Sequence, residues 1–150
     1  MVPKSNLSIL IRIFSYSILA ITFVFILTSC AGTGTKIKPT ISNSENTGNT
    51  NLYFARGGGF VAGGVLAKIE VNGTEIARLG VKEFTQYSVN GNYNIKVSGA
   101  GLGGLGMRSA STSGVGDGKN YFYIISVKQG LLSTKFIINE TTETGYNQAQ

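Results

Sequence analysis

The sequence predicts an all-β domain, an antiparallel β-sandwich or open barrel of about seven short strands. Short runs of alternating apolar and polar residues recur after residue 50, and turn dipeptides separate them at intervals of about 8–12 residues. Twenty-one glycines and only two prolines among 150 residues favour turns and short strands over long helices. Residues 140–147 have room for one helical turn at most, so we place a single β domain at 51–150.

Each predicted strand is a short run bounded by turn residues. In the second run Val65, Ala67, Ile69 and Val71 share one face, with Lys68 and Glu70 on the other, which is typical of a half-buried strand. The seven runs are Leu52–Ala55, Val65–Val71, Thr74–Leu79, Phe84–Val89, Asn92–Ser98, Tyr121–Lys128 and Leu131–Asn139.

Three turns predict how neighbouring strands pair. Asn72-Gly73 and Asn90-Gly91 each lie between two strand runs. Asn-Gly is the strongest short hairpin signal, because a type I′ turn needs positive φ at both central residues. Gln129-Gly130 separates the last two runs in the same way, so we expect three hairpins.

The N-terminus has the layout of a secretory signal. Lys4 and Arg12 are the only charges before Lys36, and the fifteen residues Ile13–Leu27 are uncharged and mostly apolar. A membrane span needs about 20 apolar residues, so this stretch is short for one. The alternative is an uncleaved signal anchor.

The segment Leu27–Gly32 (LTSCAG) resembles the lipobox of bacterial lipoproteins. The resemblance implies a diacylglycerol thioether on Cys30, cleavage after Ser29 and usually acylation of the new N-terminus. Residues 1–29 are then a cleaved signal peptide, and the mature protein is lipid-anchored in the bacterial cell envelope. Ala31 stands where Asp would favour inner-membrane retention, which implies the periplasmic face of the outer membrane in a Gram-negative host. Cys30 is the only cysteine, so no intramolecular disulfide can form.

Residues 31–50 predict a flexible tether between the anchor and the domain. Thirteen of these twenty residues are Gly, Ser, Thr or Asn. The segment therefore has too few apolar residues to offset the entropy lost on ordering. A flexible chain of this length reaches roughly 25 Å. We therefore expect residues 30–50 to hold the domain off the bilayer.

The charge of the chain gives only weak guidance on partners. The formal net charge is +6, and removal of residues 1–29 leaves 11 basic and 7 acidic side chains. The basic residues form no run, which argues against a nucleic-acid-binding face. A weak attraction to anionic membrane or cell-wall polymer is consistent with this excess.

Two glycine clusters have alternative interpretations. Gly99–Gly106 contains GxGxxG after a strand, but no helical pattern follows it as a dinucleotide site requires. We expect a loop there, or a glycine-rich edge strand that another surface approaches closely. The segment Arg56–Phe60 is a long turn or an interaction loop that presents Arg56 and Phe60. Arg108 is a third candidate for contact with a partner.

The tyrosines favour packing over ligand binding. An aromatic platform for sugars is the alternative, but aromatic residues at period two in a sheet more often form core or cross-strand pairs. The residues concerned are Tyr53, Tyr87, Tyr93, Tyr121 and Tyr123.

The sequence offers little for catalysis. It has no histidine to act as a general base near neutral pH, and the lipid would occupy its single thiol. Its seven carboxylates have no ligand spacing, and Glu140 and Glu143 belong to a solvated C-terminal segment. We expect no enzymatic activity, no cofactor and no metal.

The order of motifs after residue 50 resembles the DUF2846-type bacterial lipoproteins, a family of unknown function. The motifs are a short aromatic strand ending at Arg56, the stretch Ile69–Leu79 around Asn-Gly, Gly118–Tyr123 and Glu140–Gly145. The resemblance covers nearly all of residues 51–147 and implies no catalytic residues. Family members often have Pro-Gly-x-His where this chain has residues 90–93 (NGNY).

Two functions follow from these patterns. The first is a membrane-anchored envelope lipoprotein whose β-sandwich is an interaction module for an envelope protein or a cell-wall polymer. The second is a structural or accessory lipoprotein of an envelope assembly, without a soluble ligand. No nucleic-acid partner is expected.

Overall fold

The computed structural model describes residues 32–42, 48–58 and 64–149. Eight strands, a three-residue 3-10 helix at Leu102–Gly104 and one short α-helix make up this part of the chain. The elements are β1 (Thr50–Arg56), β2 (Leu66–Val71), β3 (Thr74–Leu79), β4 (Phe84–Val89), β5 (Tyr93–Ala100), β6 (Ala110–Gly114), β7 (Asn120–Gln129), β8 (Thr134–Thr141) and α1 (Glu143–Gln148).

The strands form two four-stranded sheets, which confirms the predicted all-β sandwich. The first sheet has the order β4-β1-β7-β8 and the second has the order β3-β2-β5-β6. Neighbours are antiparallel except β1 and β7, which run parallel. The eighth strand, β6, was not predicted because its sequence (ASTSG) has no apolar alternation.

Two of the three predicted hairpins are confirmed. Asn72 (φ 51°) and Gly73 (φ 81°) join antiparallel β2 and β3, and the turn after Gln129 joins antiparallel β7 and β8. The prediction of a hairpin at Asn90-Gly91 is wrong, because β4 pairs with β1 and β5 pairs with β2 instead of with each other. That turn carries the chain from the first sheet to the second. Gly91 has positive φ there and Asn90 does not.

The main core lies between the two sheets, where the predicted alternation is confirmed. The apolar face of β2 is buried, together with the residue before the strand: Val65, Ala67, Ile69 and Val71. They face buried apolar residues of the first sheet across the core, namely Leu52, Phe54, Tyr123, Ile125 and Phe136.

A smaller core covers the outer face of the first sheet. Tyr53 lies opposite Phe122 and Ala55 opposite Phe84, and Tyr146 of α1 packs against this cluster. Because β1 is covered on both faces, its run is buried almost throughout instead of alternating. Glu140 and Glu143 are exposed, as predicted for a solvated C-terminal segment, whereas Tyr146 just beyond them has no exposed surface.

The segment 32–42 does not form the predicted free tether. Thr33 N donates to Arg78 O of β3 at 2.8 Å, and Thr35 pairs with Phe84 of β4. Ser42 N donates to the Tyr53 hydroxyl at 3.0 Å. Short polar residues are ordered here by hydrogen bonds to strand edges, a source of stability that a prediction from apolar content overlooks. β1 also begins at Thr50, inside the predicted tether; residues 43–47 lie outside the described residues.

Candidate functional site

One end of the sandwich collects most of its glycine-rich loops. We call it the loop end and define it by residues 57–58, 64–65, 80–83, 101–109 and 130–133. The strand register places these loops together, because Ala67 pairs with Leu79, Leu66 with Ala100 and Gln129 with Thr134. The β1–β7 and β1–β4 pairings place the end of β1 and the start of β4 there as well.

Three leucines of the loop end project into solvent. Leu105, Leu131 and Leu132 are 75%, 102% and 97% exposed. Together with Val65 and Met107 they line an open cavity of about 670 Å³. Residues at the tips of turns are usually Gly, Asn, Asp, Ser or Pro, so adjacent leucines in the β7–β8 turn call for an explanation other than turn formation.

Three basic residues each lie three positions from one of these leucines in the chain. Lys128 and Lys135 occupy directly opposite positions in the β7–β8 register, and the backbone of Arg108 forms an isolated parallel β-bridge with that of Lys135. Like charges directly opposite each other in a sheet are destabilising. In the described part of the chain no ion pair involves any of the three.

Acidic side chains are scarce at the same end. Of the six acidic residues that the structure describes, Glu83 alone belongs to the loop end. Its carboxylate accepts a hydrogen bond from Gly80 N at 2.7 Å and pairs with Lys36 at 3.5 Å. The carboxylate that could neutralise this basic group of residues is therefore already bound elsewhere.

Arg56, the last residue of β1, lies next to the loop end but is not presented to a partner, which corrects the prediction of an interaction loop at this residue. Its side chain is 3% exposed, and its guanidinium donates to the carbonyl oxygens of Val65 and, at 2.8 Å, Leu79. Burial lowers the pKa of Arg56, and the nearby Glu83 carboxylate acts in the opposite direction. Arg56 thus holds the start of β2 and the end of β3 against β1.

The other predicted residues have different outcomes. Arg108 is exposed at the loop end, as an interaction residue requires. Phe60 and Cys30 lie outside the described residues. Leu131 and Leu132 were not predicted to be surface residues, because the apolar run interpreted as the last strand begins at Leu131. The structure begins β8 at Thr134, after a turn closed by Gly130 N donating to Ser133 O at 2.9 Å.

The glycines of the 99–106 segment serve a close approach of two stretches of backbone, which confirms that part of the prediction. A Cβ placed on Gly99 would lie 2.5 Å from the Cα of Gly104. Side chains at either position would therefore push the segment off β5. This close contact sets the position of Leu105 and Met107 beside the β7–β8 turn.

The prediction that tyrosines pack is confirmed for Tyr53, Tyr93 and Tyr123, which are buried. The hydroxyls of Tyr93 and Tyr123 form a hydrogen bond of 2.9 Å between the two sheets. Burial raises the pKa of Tyr123, and this hydrogen bond raises it further. These two side chains hold the sheets together and are not available to a ligand.

The described residues contain no group of three or more His, Cys, Asp and Glu that could hold a metal ion. In the same residues no helix combines the length and the apolar character that crossing a membrane requires. Comparisons with protein-family models, curated proteins and solved structures found no match for this chain.

Proposed function

We propose that this protein is a membrane-anchored bacterial envelope lipoprotein whose β-sandwich is an interaction module held at the membrane through acylated Cys30. The observation that carries the proposal is the position of the LTSC motif. It begins at the last residue of the uncharged, mostly apolar segment Ile13–Leu27 and ends two residues before Gly32, where the compact unit of the domain begins. A cleavage site there would separate the signal from the domain without cutting into the fold.

Acyl chains on Cys30 would give a durable anchor. A single chain holds a protein only marginally, with a binding constant of roughly 10⁴ M⁻¹, whereas a second chain makes attachment stable. A diacylglycerol thioether supplies two chains on one residue. The module would contact an envelope protein or a cell-wall polymer, and we expect no catalysis. A structural lipoprotein without a soluble ligand would have the same anchor.

Metabolic labelling tests the anchor. When the full chain is expressed in a bacterium fed radiolabelled palmitate, we expect label in the wild type and none in Cys30→Ser. Ser29→Ala keeps a small residue before the cysteine and is the matched control, so it should be labelled as the wild type is. Mass spectrometry of the labelled protein should find Cys30 as its N-terminal residue.

Two results would refute the proposal. One is label that persists in Cys30→Ser, which would place the acyl group elsewhere. The other is a wild-type chain that stays unlabelled and retains residues 1–29, which is the behaviour of an uncleaved signal anchor.

A further inference from the structure

We propose that the loop end is a membrane-binding surface that lies flat on an anionic lipid bilayer. Leu105, Leu131 and Leu132 insert between the lipid headgroups, and the basic residues beside them contact lipid phosphates. The proposal rests on the lipid anchor for its geometry and adds to it the orientation of the domain and the residues that touch the lipid.

The three leucines are placed where they can enter a bilayer. Leu131 and Leu132 are fully exposed at the tip of the β7–β8 turn, and Leu105 is exposed across the cavity they line. Side chains on the tips of loops reach furthest from the fold and enter a bilayer interface without displacing any strand. Amphipathic surfaces that bury apolar side chains at the headgroup boundary bind membranes in proportion to the buried apolar area.

The strand register brings three basic residues together. Lys128 and Lys135 are directly opposite in the β7–β8 register, and a backbone β-bridge places Arg108 next to Lys135. This arrangement is unfavourable in water, and an anionic surface would remove the repulsion. Basic residues near anionic lipid each strengthen binding about fivefold. The same charges would repel a second copy of this surface, so charge favours a bilayer over a dimer of the chain.

The position of Gly32 provides a third, independent argument. Thr33 N donates to Arg78 O, and a Cβ on Gly32 would lie 3.2 Å from the nitrogen of Gly80. Gly80 belongs to the loop end, and only Ala31 separates Gly32 from Cys30 in the sequence. Acyl chains on Cys30 would therefore attach this end of the sandwich to the bilayer, with no room for the 25 Å tether estimated for a flexible chain of this length.

Tryptophan fluorescence tests the orientation, because the chain has no tryptophan of its own. The Leu132→Trp variant of the full lipidated protein is reconstituted into vesicles of equal parts phosphatidylglycerol and phosphatidylcholine with brominated acyl chains. We expect its emission to move to shorter wavelength and to be strongly quenched. Val115→Trp is the matched control, because Val115 is 66% exposed and follows β6 at the opposite end. Its emission should stay at long wavelength and be quenched little.

A second pair of measurements tests the charges. In the Leu132→Trp background, the double substitution Lys128→Gln and Lys135→Gln should reduce quenching in the anionic vesicles. Quenching should also fall when phosphatidylcholine replaces all the phosphatidylglycerol. Because the substitution removes a like-charge pair, it should not unfold the sandwich, and circular dichroism checks this.

The possible outcomes separate this inference from the proposed function. Palmitate on Cys30 with no quenching of Leu132→Trp would overturn the membrane surface and leave the lipoprotein intact. Quenching in a chain without palmitate would support the surface and refute the anchor. Equal quenching of Leu132→Trp and Val115→Trp, or quenching that does not depend on phosphatidylglycerol, would contradict the orientation or the role of the lysines.

Discussion

Arg56 and Tyr146 both have polar side chains buried by the fold, but they differ in whether their polar atoms are hydrogen-bonded. The guanidinium of Arg56 donates hydrogen bonds to two carbonyl oxygens, one just before β2 and one at the end of β3. The hydroxyl of Tyr146 has no hydrogen-bond partner among the described residues, although its ring packs against Tyr53, Phe84 and Phe122. Arg56 therefore contributes through its polar atoms, and Tyr146 contributes through its ring.

Replacing Arg56 should destabilise the domain. In Arg56→Met the carbonyl oxygens of Val65 and Leu79 lose a charged donor in a buried site, so we expect a loss of about 2–4 kcal/mol in the free energy of unfolding. Urea unfolding followed by circular dichroism measures it. Arg108→Met is the control, because Arg108 is exposed and should change stability by no more than about 0.5 kcal/mol. Equal effects of the two substitutions would show that Arg56 does not hold the strand ends.

Tyr146 should be replaceable by phenylalanine. Tyr146→Phe keeps the ring and removes an unpartnered hydroxyl, so stability at neutral pH should stay the same or rise by up to about 1 kcal/mol. Tyr123→Phe is the contrast, because it leaves the Tyr93 hydroxyl without its partner and should cost about 1–2 kcal/mol. A clear loss of stability in Tyr146→Phe would mean that its hydroxyl has a partner after all.

The same variant makes a prediction about pH. Burial raises the pKa of Tyr146 above the value of about 10 expected in the unfolded chain. Its contribution to stability is therefore fully present below about pH 10 and declines as the pH rises from there towards the higher folded-state pKa. Thermal unfolding at a series of alkaline pH values should show a shallower decline for Tyr146→Phe than for the wild type.

At the level of elements, the segment 32–42 packs against both sheets although its polar composition suggests a free chain. It bonds to β3 of one sheet and β4 of the other, so it covers two strand edges that would otherwise be open to pairing. Lys38 also donates to the carbonyl of Asn147 and lies over the ring of Phe84, which ties the segment to α1 and the outer core. Extended polar residues with glycines can be as well ordered as a strand when edges are available.

Gly34 tests how closely this segment packs. A Cβ at Gly34 would lie 2.5 Å from a methyl carbon of Leu79 and 2.9 Å from the Cβ of Glu83. We expect Gly34→Ala to lower the free energy of unfolding by about 1–3 kcal/mol, because Leu79 is buried and cannot move freely. Gly57→Ala is the control, since a Cβ there meets its nearest neighbour at 3.6 Å. Chemical denaturation of both variants measures the difference, and equal stability would mean that the segment is not packed as described.

For the whole molecule, the distribution of charge matters more than the net charge. Arg108 belongs to the loop end, and Lys128 and Lys135 each lie two residues from it. Asp117 and Glu140 lie beside the starting residues of β7 and the end of β8, at the other end of the sandwich. In the sequence these basic residues are separated by up to 27 positions and form no run, so only the strand pairing reveals the cluster.

Local patterns determined those parts of the fold that depend on neighbouring residues. The β2–β3 hairpin follows from Asn72-Gly73 because a type I′ turn fixes its own pairing, and the buried face of β2 follows from alternation over Val65–Val71. The motif around Cys30 likewise predicts an anchor from six consecutive residues.

Pairings between distant residues decided the rest, because their energy depends on which strands become neighbours. Asn90-Gly91 has the composition of a hairpin turn. β4 nevertheless pairs with β1, where its Phe84 is buried in the outer core, and does not pair with β5. β6 has no apolar pattern and exists because β5 offers it an edge. The exposed leucines, the basic residues beside them and Gly32 come from separate stretches of the chain. Tertiary structure alone brings them to one end, where we propose that the protein meets the membrane.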